Sequence, residues 1–339
     1  MENNQITSSG QKPNKSIYIK DLESGSELRS HFLVQSKNLM VAKNGKPYLA
    51  MTLSDRTGKL DTRVWNDANE LAKTFNEGDV VAAWGKVHTF QNRLQFIGED
   101  LVVVPEEEVD LTQFLPKADE DLDALFEELK GIFREVSNPW VSQLALSLLE
   151  DPSIAERYKI CPAAKTIHHA FLGGLLVHSL QLIKLVDAIL PLYEKIDRSL
   201  LVFGAAFHDF GKIFELNYQG NFGYSDEGRL VGHIAIGTCL IDRKIQGIDG
   251  FPQDLEWQVK HLVLSHHGRL EYGSPKRPAT LEAQILANLD EMDSKINSIQ
   301  TQMTQEGSKE RWTTHHRAYD QYYYKSDAFM TSLGQPTGP

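Results

Sequence analysis

The chain has 339 residues, more than one ordinary core organises, so two domains are expected. Its 41% hydrophobic and 24% charged residues exclude a disordered polymer, and no apolar run approaches the roughly 20 residues a membrane helix needs, so no membrane partner is expected. The net charge of −11 is unevenly spread: residues 15–104 hold 12 Lys/Arg against 11 Asp/Glu, leaving about −12 on residues 105–339, and this excludes neither a nucleic-acid partner nor a small anion.

Residues 1–14 are polar, lack the apolar core of a signal peptide and are expected to form a flexible tail. Residues 15–104 alternate in β fashion, with strands expected at 28–41, 48–54, 59–65, 80–90 and 93–103. Asn44-Gly45, Thr57-Gly58, Glu77-Gly78-Asp79 and Gln91-Asn92 supply turns between them. A short helix is expected at 68–75, between the third and fourth strands. Five strands with a helix in that place is the order of an OB-like β-barrel. A charged linker spans 105–119. Helical periodicity then holds across an all-α domain at 120–325, with helices near 120–136, 139–150, 171–190, 197–209, 230–245, 253–265 and 279–300. Asn138-Pro139, Asp151-Pro152 and Pro191 break the series. The loop 268–278, with two prolines and two glycines, suits a shaped segment beside a site. Residues 326–339 read as a second flexible tail. The fold class is therefore multidomain α+β: a five-stranded OB-like barrel, then an all-α domain. Cys161 and Cys239 are too few and too far apart for a disulfide framework, which makes a reducing cytoplasm the expected location.

The helical part places His178, the pair His208-Asp209, His233, the pair His266-His267 and Asp290 within apolar surroundings. A lone histidine in a run such as LLVHSL is commonly a satisfied core residue. Seven such groups on consecutive helices would be expensive to bury without a metal or partners. Mixed imidazole and carboxylate donors suit Mn, Fe, Co, Ni or Zn, whereas oxygen-only cages suit Mg or Ca. No cysteine joins the set, so a structural zinc knuckle is not expected. Metal-bound water can act as a nucleophile at neutral pH, two ions can hold one phosphate, and Lys212 could meet a non-bridging phosphate oxygen.

The runs HHAFLGGLLVHSL, GAAFHDFGKI, GHI, LSHHGRLEYGSP and ILANLDEMD resemble the HD-domain phosphohydrolase superfamily. Across residues 15–325 the chain is similar to the YhaM-type 3′-to-5′ exoribonucleases, which join an OB-fold to an HD domain. The His-Asp dipeptide alone is weak, but the ordered set with HHG-x-x-x-x-GSP is specific. The resemblance implies His178, His208, Asp209 and Asp290 as ligands of a first metal, and His233, His266 and His267 for a second, bridged by Asp209. It implies two divalent ions per chain, Mn first among them, with Asp209, Lys212 and His208 as the catalytic set. Asp293, one helical turn beyond Asp290, competes for the last ligand position. His168 and His169 match a family pair that faces substrate, or else form a helix-cap region without chemistry. The implied activity is stepwise hydrolysis of single-stranded RNA to nucleoside 5′-monophosphates, with single-stranded DNA as a further substrate. The rivals are a phosphodiesterase of cyclic dinucleotides or nucleotides and a non-catalytic nucleic-acid adaptor.

On an OB-like barrel, aromatics stack on bases and cations meet phosphates. Candidates are Lys37, Tyr48, Arg63, Trp65, Trp84, Phe90, Arg93 and Phe96. Strand alternation sets Arg63 and Trp65 on one face with Val64 opposite. Each aromatic has a competing role as barrel core, and the fold also hosts oligosaccharides and proteins. Homo-oligomerisation is left open.

Overall fold

The computed structural model describes residues 17–90, 93–115, 120–164, 171–217, 223–305 and 310–333. The expected tail at 1–14 lies outside them, as do His168 and His169. The chain divides into two compact units, Met1–Lys117 with Leu216–Ser225, and Ala118–Glu215 with Asp226–Pro339.

In the first unit, β1 (Glu27–Val41), β2 (Pro47–Asp55), β3 (Gly58–Val64), β4 (Val80–Phe90) and β5 (Arg93–Val103) close a barrel in the order β1-β2-β3-β5-β4. The β3–β5 pair is parallel, and the other pairs are antiparallel. Period-2 alternation drives closure: Leu49, Met51 and Leu53 of β2 turn inward to meet Phe32, Val64, Val81 and Phe96 in one apolar core. Closure also needs a bend, supplied by register shifts after Val34 and at Trp84/Gly85. At Gly85, with φ +156°, an added Cβ would lie 2.0 Å from the Ile97 carbonyl oxygen, so only glycine fits the bend.

The expected helix at 68–75 is shorter, α1 (Ala68–Leu71). Phe75 turns into the core instead, and the Lys37 ammonium caps the carbonyls of Ala72 and Phe75. The expected linker is partly structured. Two 3-10 turns form at Glu106–Glu108 and Leu111–Gln113, Val109, Phe114 and Leu115 are buried, and the Arg56 N–H donates to the Gln113 carbonyl. The small hairpin β6 (Leu216–Asn217) and β7 (Gly223–Tyr224) also belongs to this unit, so the helical domain is not one unbroken span.

The second unit contains α2 (Leu122–Glu135), α3 (Pro139–Leu149), α4 (Pro152–Ile160), α5 (Gly174–Ile189), α6 (Arg198–Phe207), α7 (Lys212–Glu215), α8 (Asp226–Val231), α9 (His233–Gln246), α10 (Gln253–Ser265), α11 (Leu281–Gln305) and α12 (Asp327–Ser332). The dipeptides expected as breaks are starts as well: Asn138 and Asp151 cap α3 and α4, each followed by proline at the first helical position. The whole of α4 escapes the periodicity, because among its nine residues only Ile154 and Tyr158 are buried. The expected helix at 230–245 is two helices, divided at Gly232, whose φ of +78° ends α8 before α9 begins. The expected tail at 326–339 includes α12, which Ser326 caps and Met330 anchors, a helix too short for periodicity to reveal.

The stretch Gly174–Leu192 has 19 residues of mean hydropathy 1.6, which is long and apolar enough to cross a membrane and more so than expected. Here Leu175, Leu176, Leu180, Leu182, Ile183 and Val186 are buried within the helical unit, against neighbours that include α2, α4, α6 and α11. That burial is the reason for its apolar composition.

Candidate metal centre and nucleic-acid face

Helix ends build the centre. His208 is the C-cap of α6 and His266 the C-cap of α10, where carbonyls of the last turn are open to a side-chain donor. Those carbonyls orient the imidazoles: His208 Nδ1 lies 3.2 Å from both the Gly204 and Ala205 oxygens, and His266 Nδ1 lies 2.7 Å from the Val263 oxygen. Carboxylates do the same for two others. His178 Nδ1 meets Asp293 at 2.8 Å, and His233 Nδ1 meets Glu215 at 3.1 Å. With Nδ1 engaged on the outer side, each ring turns Nε2 inward, the nitrogen a metal ligand would use.

The inward atoms form two groups, His178 with His208 and Asp290, and Asp209 with His233, His266 and His267; within each, the ligand atoms lie within 4.8 Å of one another. His178 Nε2 is 3.2 Å from Asp290 Oδ1 and 3.3 Å from His208 Nε2. Two ring nitrogens 3.3 Å apart suit two ligands of one ion, since each would sit about 2.0–2.1 Å from it. Asp209 serves both groups, with Oδ2 3.4 Å from His208 Nε2, and Oδ1 3.4 Å from His233 Nε2 and 3.6 Å from His266 Nε2. Asp293 stays on the outer side of the His178 ring. His233 Nε2, His266 Nε2 and His267 Nδ1 are buried without a hydrogen-bond partner. Orphaned nitrogens of this kind are costly unless a cation takes their lone pairs.

The electrostatics favour a dication. Burial opposes the charge on Asp209, but Lys212 and His208 outweigh it and hold the carboxyl well below its usual range. Asp290 is likewise lowered despite burial, by His208 and His178. Burial also disfavours charge on Lys212, yet Asp209 raises its pKa, so it stays an ammonium. Burial pushes His266 down, and burial with neighbouring His266 brings His267 to about 4, leaving both neutral. His178 differs: burial is overcome by Asp290 and Asp293, which raise it to about 9. Lys212 Nζ donates to Asp209 Oδ2 at 2.6 Å and to the Ala163 carbonyl at 2.7 Å, so two of its three donors orient the aspartate's surroundings.

A cavity of about 450 Å³ opens beside these groups, lined by Asp209, Lys212, His266, His267 and Asp290, and by Tyr272, Ser294, Lys295 and Tyr319, which sequence reasoning did not single out. Glu215 and Asp293 were also missed as ring-orienting carboxylates. A charged residue within the apolar run IFEL was the one available signal for Glu215.

On the barrel, Arg63, Phe90 and Arg93 line a groove of about 940 Å³ with Lys59, Asp61 and Gln95. Arg63 donates to Asp61, which also accepts from Gln95 Nε2 at 2.6 Å. Tyr48 and Trp65 stack at 4.6 Å, and Trp65 is exposed. Three candidates sit elsewhere. Phe96 is fully buried core, Lys37 is bound to backbone carbonyls, and half-buried Trp84 lies beneath the Arg29 guanidinium.

Comparison with known proteins locates two families along the chain: an OB-fold nucleic acid binding domain at residues 33–104 and an HD domain at 175–295. Among solved structures, the second OB-fold domain of replication protein A from Methanococcus maripaludis is 18% identical, covering 26% of this chain and 93% of its own, with a TM-score of 0.22. The mitochondrial single-stranded DNA binding protein Rim1 of S. cerevisiae is 14% identical, with 24% and 96% covered and a TM-score of 0.22. The 3′-5′ exoribonuclease YhaM of Halalkalibacterium halodurans is 34% identical over 278 residues, 81% of this chain and 85% of that one. A match of that length includes both units, and the chain belongs to the family of the 3′-5′ exoribonuclease YhaM.

Proposed function

We propose that the chain is a metal-dependent phosphodiesterase that shortens single-stranded RNA, and single-stranded DNA, from the 3′ end and releases nucleoside 5′-monophosphates. The observation that carries this reading is the meeting of two imidazole–carboxylate groups at Asp209. His178, His208 and Asp290 would hold one divalent ion and His233, His266 and His267 a second, with one Asp209 oxygen turned to each. The donor set suits Mn, Fe, Co, Ni or Zn, and Mn is proposed. Bound ions supply a hydroxide nucleophile at neutral pH and stabilise the departing oxygen.

The residues do the rest. Asp293, Glu215 and the helix-end carbonyls hold the rings in orientation, so the inward nitrogens need no repositioning. Lys212 remains protonated and turns one uncommitted N–H toward phosphate. The barrel groove with Arg63, Phe90 and Arg93, and the Tyr48–Trp65 pair, hold the strand without reading its sequence. The two cysteines are unpaired, which suits a cytoplasmic enzyme.

The test combines elemental analysis of the purified protein with digestion of a 5′-labelled RNA in added Mn. The expected result is two ions per chain and a ladder that shortens from the 3′ end, absent from Asp209→Ala. Intact RNA with fully metal-loaded wild type would refute the proposal.

A further inference from the structure

The cavity beside Asp209 has one wall whose composition the metal centre does not explain. Asp209, Lys212, His266, His267 and Asp290 form the metal side, while Tyr272, Ala287, Ala318 and Tyr319 bring apolar and aromatic surface to the rest, beside Glu291, Ser294 and Lys295. The two tyrosines come from separate segments. Tyr272 ends the 3-10 turn Leu270–Tyr272, and Tyr319 lies in the chain between α11 and α12. Neither is a core residue, since Tyr272 is 55% exposed and Tyr319 is half-buried.

Each ring has a neighbour on another side. The buried His316 ring stacks on Tyr319 at 4.5 Å with planes 11° apart, and His316 Nε2 is itself fixed by Ser298 Oγ at 3.1 Å. The Arg269 guanidinium lies 5.6 Å from the centre of the Tyr272 ring. Glu291 tethers Lys295 at 2.5 Å. Two aromatic rings beside a phosphate-hydrolysing centre suit a planar, apolar ligand attached to a phosphate. A volume of about 450 Å³ takes one small ligand rather than a length of strand.

We infer that this cavity seats the 3′-terminal nucleotide, and that Tyr272 and Tyr319 receive its base and so position the terminal phosphodiester at Asp209. The inference rests on the exoribonuclease reading and adds to it a base-binding subsite. Every base has a π-face, so the subsite accepts all four and trims one nucleotide at a time without sequence preference.

The test uses full-length, Mn-loaded protein and two RNAs that differ only at the 3′ end, one with a terminal nucleotide and one with an abasic residue. Base–aromatic stacking corresponds to about a 5- to 150-fold change. Wild type is expected to lose kcat/KM by a factor in that range on the abasic end. Tyr272→Leu and Tyr319→Leu should lose a similar factor on the normal end, with metal content unchanged and activity kept by the Tyr→Phe variants. Because all these changes remove the same contact, the substrate loss and the substitution loss should not multiply. If they do multiply, or if wild type cuts both ends equally fast, this inference falls while the exoribonuclease reading stands. Wild type that leaves both RNAs intact refutes that reading itself. Should a Leu variant lose metal, the wild-type comparison of the two ends and the Phe variants still decide.

Discussion

Gly211 offers a sharp test of how the fold places the second group of ligands. It lies two residues after Asp209, just before α7, and its backbone faces the start of α9. In Gly211→Ala the new Cβ would stand 1.9 Å from the His233 carbonyl oxygen and 2.7 Å from both the His233 carbonyl carbon and the Gly237 nitrogen. All three atoms are backbone, so no side chain can swing aside. Reaching even a strained 3.0 Å from that oxygen requires a retreat of at least 1.1 Å. The residue that must move is the one that turns Nε2 toward Asp209 at 3.4 Å. Metal–ligand distances tolerate only about 0.2 Å, so the displacement removes His233 as a ligand rather than loosening it.

The expected result for Gly211→Ala is at least a 10- to 100-fold weaker second metal and a comparable fall in kcat/KM. Overpacking should also cost about 1–3 kcal/mol of stability. Metal content after dialysis, RNA cleavage and thermal unfolding would be measured together. Gly131→Ala is the control, because nothing lies within 4 Å of a Cβ there and α2 should gain slightly in helix propensity. A Gly211→Ala protein holding two ions and cutting RNA within twofold of wild type would refute the reasoning.

Three further outcomes are expected. Glu215→Gln keeps shape but removes the charge that fixes His233, so affinity for the second ion should drop about tenfold or more while the His178 group keeps its metal, as stepwise metal titration would reveal. In metal-free protein, the His178 pKa of about 9 against an ordinary 6.5 means stability that is full below pH 6.5 and lost as pH rises through 9; it amounts to at most about 3 kcal/mol, and chemical denaturation of chelator-treated protein at the two pH values measures it. Phe90→Ala combined with Arg93→Ala should raise KM for a 20-mer about tenfold or more, with a shallower salt dependence and an unchanged rate on a dinucleotide; equal losses on both substrates would contradict a purely gripping role.

The barrel was legible because alternation and turn residues point to the same strands, and the burial of Leu49, Met51 and Leu53 with half-buried Ala50 and Thr52 between them is that alternation in three dimensions. The seven imidazole and carboxylate positions could be named because their setting is apolar, and the structure brings all seven together. What the sequence concealed depends on distant partners. Asp293 reaches His178 across 115 positions, and Glu215 reaches His233 across 18. Lys37 looked like a phosphate contact until its ammonium met two carbonyls more than thirty residues away. Phe96 illustrates the opposite limit, because alternation assigns a face without saying which face of a closed barrel is inside.

An acidic helical unit is an odd host for a polyanion, and the centre resolves the problem locally. Asp209, Asp290 and Glu215 are all held toward their ionised forms, against Lys212 and, in the metal-free centre, a His178 that is paired on its outer side with Asp293. A phosphate approaching that set without ions meets net repulsion, whereas divalent ions held there would reverse the sign where the phosphorus must sit. Substrate binding at the cavity is therefore thermodynamically linked to metal binding, and each must strengthen the other by the same factor. The barrel groove owes its charge to Arg63, Arg93 and Lys59 and needs no ion. Removing metal should therefore abolish both cleavage and the capture of a dinucleotide, while a long strand stays bound through contacts that weaken with salt. Grip and chemistry are separable because they rest on different sources of positive charge.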